Sequence, residues 1–321
     1  LDDTYAPAWR NLGIAFFNAR ADADGAQMAF RYAVRAAPKD ARLLFEQDQL
    51  QKRLGADPKL RLASLLRHRD LVDRRDDLSV ELASLFNRLG RPQDALDVLL
   101  SRQFQPWEGG EGLVLAQYTA AQLKLGQEAL KASRTQEALD YFAQTLHPPH
   151  TLGEAKHLLA NDSETYFWIG EGWRRFGDEG KAIDAYRRSA KQMGDFQAMS
   201  TQVFSEMTYW SGLSLRRLEL HKEADQLFRQ MLAYVLKLES QEARIDYFAT
   251  SLPSLLLFEE NFEKSHTARV KLLRGCALMG LGELSEAHEL FEQVLLLEPH
   301  CICAVNMLEH DQNEMSIGRL A

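Results

Sequence analysis

A chain of 321 residues with 45% hydrophobic and 26% charged side chains has the apolar surface to fold and is not a disordered tail. Its net charge of −8 argues against a nucleic-acid partner. No apolar run reaches the roughly 18 residues of a membrane span, and the start lacks the basic-then-apolar pattern of a secretory leader. Three cysteines, Cys276, Cys301 and Cys303, form no disulfide framework and point to a reducing, cytoplasmic setting. Cys301-x-Cys303 beside His300 has no second cysteine pair to complete a tetrahedral zinc site, so neither metal nor cofactor is expected there.

In chain order, Trp9, Leu12, Gly13 and Phe16 precede Ala26, Phe30, Ala33 and Pro38, with one extra residue in the turn around Ala23-Asp24-Gly25. A weaker pair spans Leu44 to Leu66, with Gly55 and Pro58 at its turn. Ala83, Phe86, Gly90 and Ala95 form the next, then Gly126, Ala129, Ala138 and Phe142. The rhythm strengthens at Gly170, Trp173, Gly177, Ala182 and Tyr186, and again at Gly212, Leu215, Ala224 and Phe228. It closes on Gly275, Leu278, Gly282, Ala287, Phe291, Val294 and Pro299. Small residues on one helix and a bulky one on the next let two antiparallel helices approach closely and fill the gap between them. Repetition at roughly 34 residues is the mark of a helical solenoid. Unit starts are expected near Ala6, Ala41, Asp76, Thr119, Ser163, Ser205 and Ala268, with helix above roughly 60% of the chain.

These residues resemble the signature of the tetratricopeptide repeat (TPR) family. The resemblance implies an all-α, right-handed superhelical solenoid of about seven helix pairs that serves as a protein-interaction scaffold rather than an enzyme. The whole chain, 1–321, is expected to form one solenoid, with regular repeats over 6–105, irregular ones over 106–267, and a last repeat and cap over 268–321. Three insertions break the spacing: Pro106 to Gly112, His147 to Asn161, and Leu238 to Thr267. They look like the repeat region of large bacterial proteins that carry an N-terminal mutarotase-like β-sandwich, and a chain opening on Leu1 agrees with a fragment of that kind. The runner-up role is therefore a non-catalytic part of a carbohydrate-active enzyme that shapes or covers a sugar site. Protein or peptide partners, a preceding domain among them, come first and carbohydrate second.

Four sets of residues are candidates for binding. Phe167 and Trp168, with Tyr209 and Trp210 one repeat later, form an aromatic stripe suited to apolar peptide anchors or sugar faces, and equally suited to interhelical core. Trp107, Glu108 and Glu111 combine a stacking ring with two carboxylates, although acidic groups also belong ahead of a helix starting near Gly112. His147, His150, Glu154 and His157 are metal-ligand types, but the Pro148-Pro149 loop does not set them on one face. Leu255 to Phe258 is too apolar for a free loop and must bury against the stack or another chain. Arg10 and Asn11 could begin a clamp for a peptide carboxylate, but Glu46 and Asp48 in the next unit would repel it.

Overall fold

The computed structural model describes residues 4–192, 194–197, 200–241, 257–259 and 261–317. Of these, 74% are helical, in an all-α repeat fold. The chain divides into two compact units.

The first unit comprises residues 1–121, 149–155 and 250–260. Its helices are α1 (Ala6–Arg20), α2 (Ala23–Ala36), α3 (Ala41–Arg53), α4 (Pro58–Arg67), the single turn α5 (Arg69–Val72), α6 (Asp76–Arg88), α7 (Pro92–Leu100) and the start of α8 (Leu113–Lys131). Short acidic side chains start several of them by accepting otherwise unpaired amides. Asp22 caps α2 at Gly25 N, Asp40 caps α3 at Arg42 N, and Asp57 caps α4 at Lys59 N with Pro58 in the first turn. Arg61, only 1% exposed, is held bidentately by Asp48 at 3.0 and 2.6 Å and also reaches Glu81 at 3.0 Å, tying α4 to α3 and α6.

Residues 257–259 of the third insertion also belong to this unit. Phe258 is buried among Ala26, Phe30 and Leu50, with its ring 5.1 Å from Phe17 and 5.7 Å from Phe30. Asn18 brackets it, donating to the Leu257 carbonyl at 3.1 Å and accepting the Glu259 amide at 3.1 Å. Leu257 and Phe258 thus pack against the first helix pair; Leu255 and Leu256, the rest of the apolar segment, lie outside the described residues.

The second unit comprises residues 122–148, 156–249 and 261–321. It holds α9 (Thr135–Leu146), α10 (Ser163–Phe176), α11 (Glu179–Ala190), a short antiparallel ribbon of β1 (Asp195–Gln197) and β2 (Ser200–Gln202), α12 (Met207–Arg217), α13 (His221–Glu239), α14 (Phe262–Leu281), α15 (Leu284–Leu297) and α16 (Ile302–Ile317). The ribbon has no counterpart in the sequence reading. Its register pairs Asp195 with Gln202, and Asn161 fixes it by donating to the Gly194 carbonyl at 2.7 Å.

The repeat unit is visible as one contact made five times. A glycine on the first helix of a pair lies against an aromatic ring on the second. The pairs are Gly13 with Phe30, Gly126 with Phe142, Gly170 with Tyr186, Gly212 with Phe228, and Gly275 with Phe291. A methyl group added at any of these glycines would sit 2.1–2.6 Å from the ring, inside van der Waals contact. The alanines Ala182, Ala224 and Ala287 are fully buried at the same interfaces. Helices α1, α3, α6 and α10 begin at the expected Ala6, Ala41, Asp76 and Ser163, and α12 begins two residues after Ser205. Two begin earlier than expected, α8 at Leu113 rather than Thr119 and α14 at Phe262 rather than Ala268. In both, a cap supplied by an insertion prolongs the helix. Glu154 accepts the Gly112 and Leu115 amides at 2.7 and 3.2 Å, and Asn261 accepts the Lys264 amide at 2.9 Å.

Candidate functional site

The aromatic stripe is assembled in the second unit by α10 and α12, the first helices of successive pairs. Ser163, Ser189, Ser211 and Ser214 hold them together through α11. Ser163 and Ser211 hydroxyls lie 2.7 Å apart, Ser189 donates to the Ser163 carbonyl at 2.8 Å, and Ser214 donates to Ser189 Oγ at 2.7 Å. All four are buried, and each buried hydroxyl therefore has a partner. A second cross-link centres on Glu171 of α10. It accepts from Tyr186 Oη at 2.7 Å, Arg217 Nε at 2.6 Å and Arg174 Nη2 at 2.8 Å. Burial alone would raise the Glu171 carboxyl, but Arg217 and Arg174 lower it below the ordinary range. Neither network announces itself in the sequence, because serines and a lone glutamate on helices read as solvent-facing.

On this frame, Phe167 is 6.1 Å from Tyr186 and 5.2 Å from Trp210, and Trp168 is 5.7 Å from Trp210, ring to ring. Tyr209 packs toward Phe228 at 6.3 Å. Phe167, Tyr209 and Trp210 are buried, and Trp168 is half-buried. The stripe is contiguous across the two repeats, as its spacing suggested. Among the described residues, α16 lies over it. The His310 ring lies 5.0 Å from Trp210, 5.8 Å from Trp168 and 6.1 Å from Tyr209. One residue earlier, Glu309 accepts from Lys124 Nζ of α8 at 2.6 Å.

Glu164 lies one turn before Trp168 on α10. It is half-buried, and desolvation pushes its carboxyl up to about 7, with the Trp168 indole pulling the other way and Glu206 adding like-charge repulsion. The sign follows from a carboxyl at 4.5 when unfolded and about 7 when folded. Ionisation costs more in the folded chain, so stability declines as pH rises from 4.5 through 7 and levels off above. Glu164→Gln is expected to abolish that decline, so that the variant melts above the wild type at pH 8 and close to it at pH 4.5. Parallel melting curves across that range would show that Glu164 ionises freely.

The Trp107 loop is built differently. Trp107 lies flat on Gly110, where a Cβ would come within 2.0 Å of the ring, while Glu108 and Glu111 are exposed. Glu154 of the second insertion, not either of these carboxylates, caps α8. The Gly112 amide of the first insertion donates to Glu154 of the second at 2.7 Å, and the Phe104 amide just ahead of the first donates to the Thr151 carbonyl at 2.8 Å, so the two insertions order each other. Glu154, grouped with the histidines near Pro148-Pro149 by sequence, gives both its oxygens to α8. His157 instead stacks on Phe196 at 3.7 Å. Among the described residues no group of three His, Cys, Asp or Glu side chains could hold a metal ion, and no helix is long and apolar enough to cross a membrane. Arg10, the candidate carboxylate clamp, is engaged by Glu46 at 2.5 and 2.7 Å.

No protein-family profile matches the sequence. Among solved structures, the chain is similar to a tetratricopeptide repeat protein from Parabacteroides merdae, with 12% identity over 94% of this chain and 98% of that one and a TM-score of 0.46. It is also similar to the MamA protein, with 17% identity over 60% of this chain and 93% of that one and a TM-score of 0.40. The TPR domain of P58(IPK) is 17% identical over 93% of this chain and 85% of that one, with a TM-score of 0.34. At these values the likeness does not extend to function, and the repeat register stands on the glycine–aromatic packing of this chain.

Proposed function

We propose that the chain is a protein-interaction module of the TPR type, whose binding face is the aromatic surface of α10 and α12. The observation that carries this reading is that the face already holds a peptide segment, with His310 of α16 seated on Trp168, Tyr209 and Trp210. Aromatic rings fixed by a rigid frame lose little freedom on binding and present large apolar area, which is what anchors a peptide. The charged groups around them are already engaged. Glu171 serves three donors, and Arg217 spends its Nε on it, so both read as framework rather than chemistry. The chain is accordingly read as non-catalytic and as working in a reducing compartment, where its three cysteines stay as free thiols.

Peptides selected from a random library on the full chain test this. Trp168→Ala is the informative variant, because Trp168 is half-buried whereas Trp210 is core. Loss of such an anchor is expected to weaken selected peptides by 2 kcal/mol or more, roughly thirtyfold. Selected peptides that bind Trp168→Ala as tightly as wild type would move the binding face elsewhere. Glycoside turnover by the full chain, lost in Glu108→Gln, would favour the carbohydrate reading instead.

A further inference from the structure

The cover and the covered face are unequal. Between Ile302 and His310, only Ala304 and Met307 of α16 are buried, with Cys303 and Leu308 half-buried on the same face. At His310 and Glu309 the helix sets an imidazole against three large rings and makes an ion pair whose partners are 31% and 48% exposed. Exposed pairs hold weakly. Elements with few buried apolar contacts open before the rest of a fold. The helices beneath are the opposite case. They are locked by the serine and Glu171 networks, and none of those bonds involves α16. The contacts also state what the face accepts: a helix, because α16 reaches α8, α10 and α12 as one; an apolar side chain at the position of Met307; a ring-sized group at that of His310; and a carboxylate for Lys124.

Resting on the interaction reading above, we infer that α16 is a displaceable self-ligand, and that the partner is an amphipathic helix of another protein. That helix would carry a bulky apolar residue where α16 has His310, next to an acidic residue that pairs with Lys124. Such a side chain covers the half-buried Trp168 more completely than an imidazole does, and this difference is what lets a helix in trans compete with one tethered in cis.

The test uses the full chain and a synthetic peptide with the sequence of residues 300–317 carrying H310F. Hydrogen exchange followed by mass spectrometry should show the amides of α16 exchanging well before those of α14 and α15. Glu309→Lys, at an exposed position, should speed that exchange further without changing the urea midpoint. Titrated against tryptophan fluorescence, the peptide should bind the wild type. It should bind Glu309→Lys roughly fivefold more tightly, because a larger fraction of the face is free. Lys124→Glu should weaken binding about tenfold, and a peptide that also carries E309K should recover it.

Exchange of α16 only through global unfolding would overturn the inference. So would a peptide that fails to bind Glu309→Lys although its α16 exchanges freely. A concentration-dependent dimer that trades α16 between copies would overturn it as well, since the occupant would then be a second copy. In each of those cases, Trp168-dependent binding of library peptides would leave the interaction reading intact.

Discussion

Arg61→Ala is expected to destabilise the first unit by about 3–5 kcal/mol, because it leaves two carboxylates in the interior without their shared cation. Asp48 is 3% exposed and Glu81 12%, while Arg61 itself is 1% exposed. Burial raises the Asp48 carboxyl. Burial would raise Glu81 as well, but Lys52 and Arg61 together hold it at about 2. The pH dependence has a definite sign. With Glu81 at about 2 folded and 4.5 unfolded, its contribution is present above pH 4.5 and disappears as the pH falls toward 2. Removing Arg61 raises both folded values, so the penalty is largest where both groups ionise and shrinks on acidification. Urea denaturation of Arg61→Ala should show a larger deficit at pH 7 than at pH 4. A deficit below about 1 kcal/mol at pH 7, or one independent of pH, would mean that water reaches the pair. Arg61→Lys should restore only part of the loss, because an ammonium cannot make the bidentate contact with Asp48.

The sequence speaks clearly where one constraint repeats and faintly where a contact is made once. The glycine–aromatic pairing recurs from Gly13 and Phe30 to Gly275 and Phe291, so each instance supports the others, and even the extra residue in the first turn is legible from the shifted spacing. The contiguity of Phe167, Trp168, Tyr209 and Trp210 follows from the same register. Their cover does not, because α16 meets them across a hundred residues of sequence or more, and nothing local to His310 or Glu309 marks it. The same holds for Phe258, whose need for burial was readable but whose site beside Asn18 was not. Glu154 shows how composition misleads. Grouped with three histidines it resembles a ligand set, yet both its oxygens complete the first turn of α8. Serines are the hardest case. Ser163, Ser189, Ser211 and Ser214 are small enough to admit close helices and polar enough to pin them, and in sequence they resemble any exposed serine.

Phe228→Ala should cost about 3–5 kcal/mol, and its partner glycines should be nearly as intolerant in the opposite direction. The ring is fully buried and boxed from two helices. A Cβ at Gly212 of α12 would lie 2.1 Å from Cζ, and one at Gly280 of α14 would lie 2.3 Å from Cε1. Gly212→Ala sets two effects against each other. Alanine gains up to about 1 kcal/mol in helix propensity. Overpacking a closed core costs about 1–3 kcal/mol, and here the ring has no free side to retreat to because Gly280 stands opposite. A net loss is therefore expected. The double variant Gly212→Ala with Phe228→Leu separates the terms, since leucine gives back the volume the new methyl needs. Its loss should be smaller than the sum of the two single losses by roughly 1 kcal/mol or more, the signature of groups in direct contact. Chemical denaturation of the three variants checks this. A Gly212→Ala chain more stable than wild type by the helix-propensity gain alone would show that the two helices can move apart, and strict additivity would show that they do not meet at this ring.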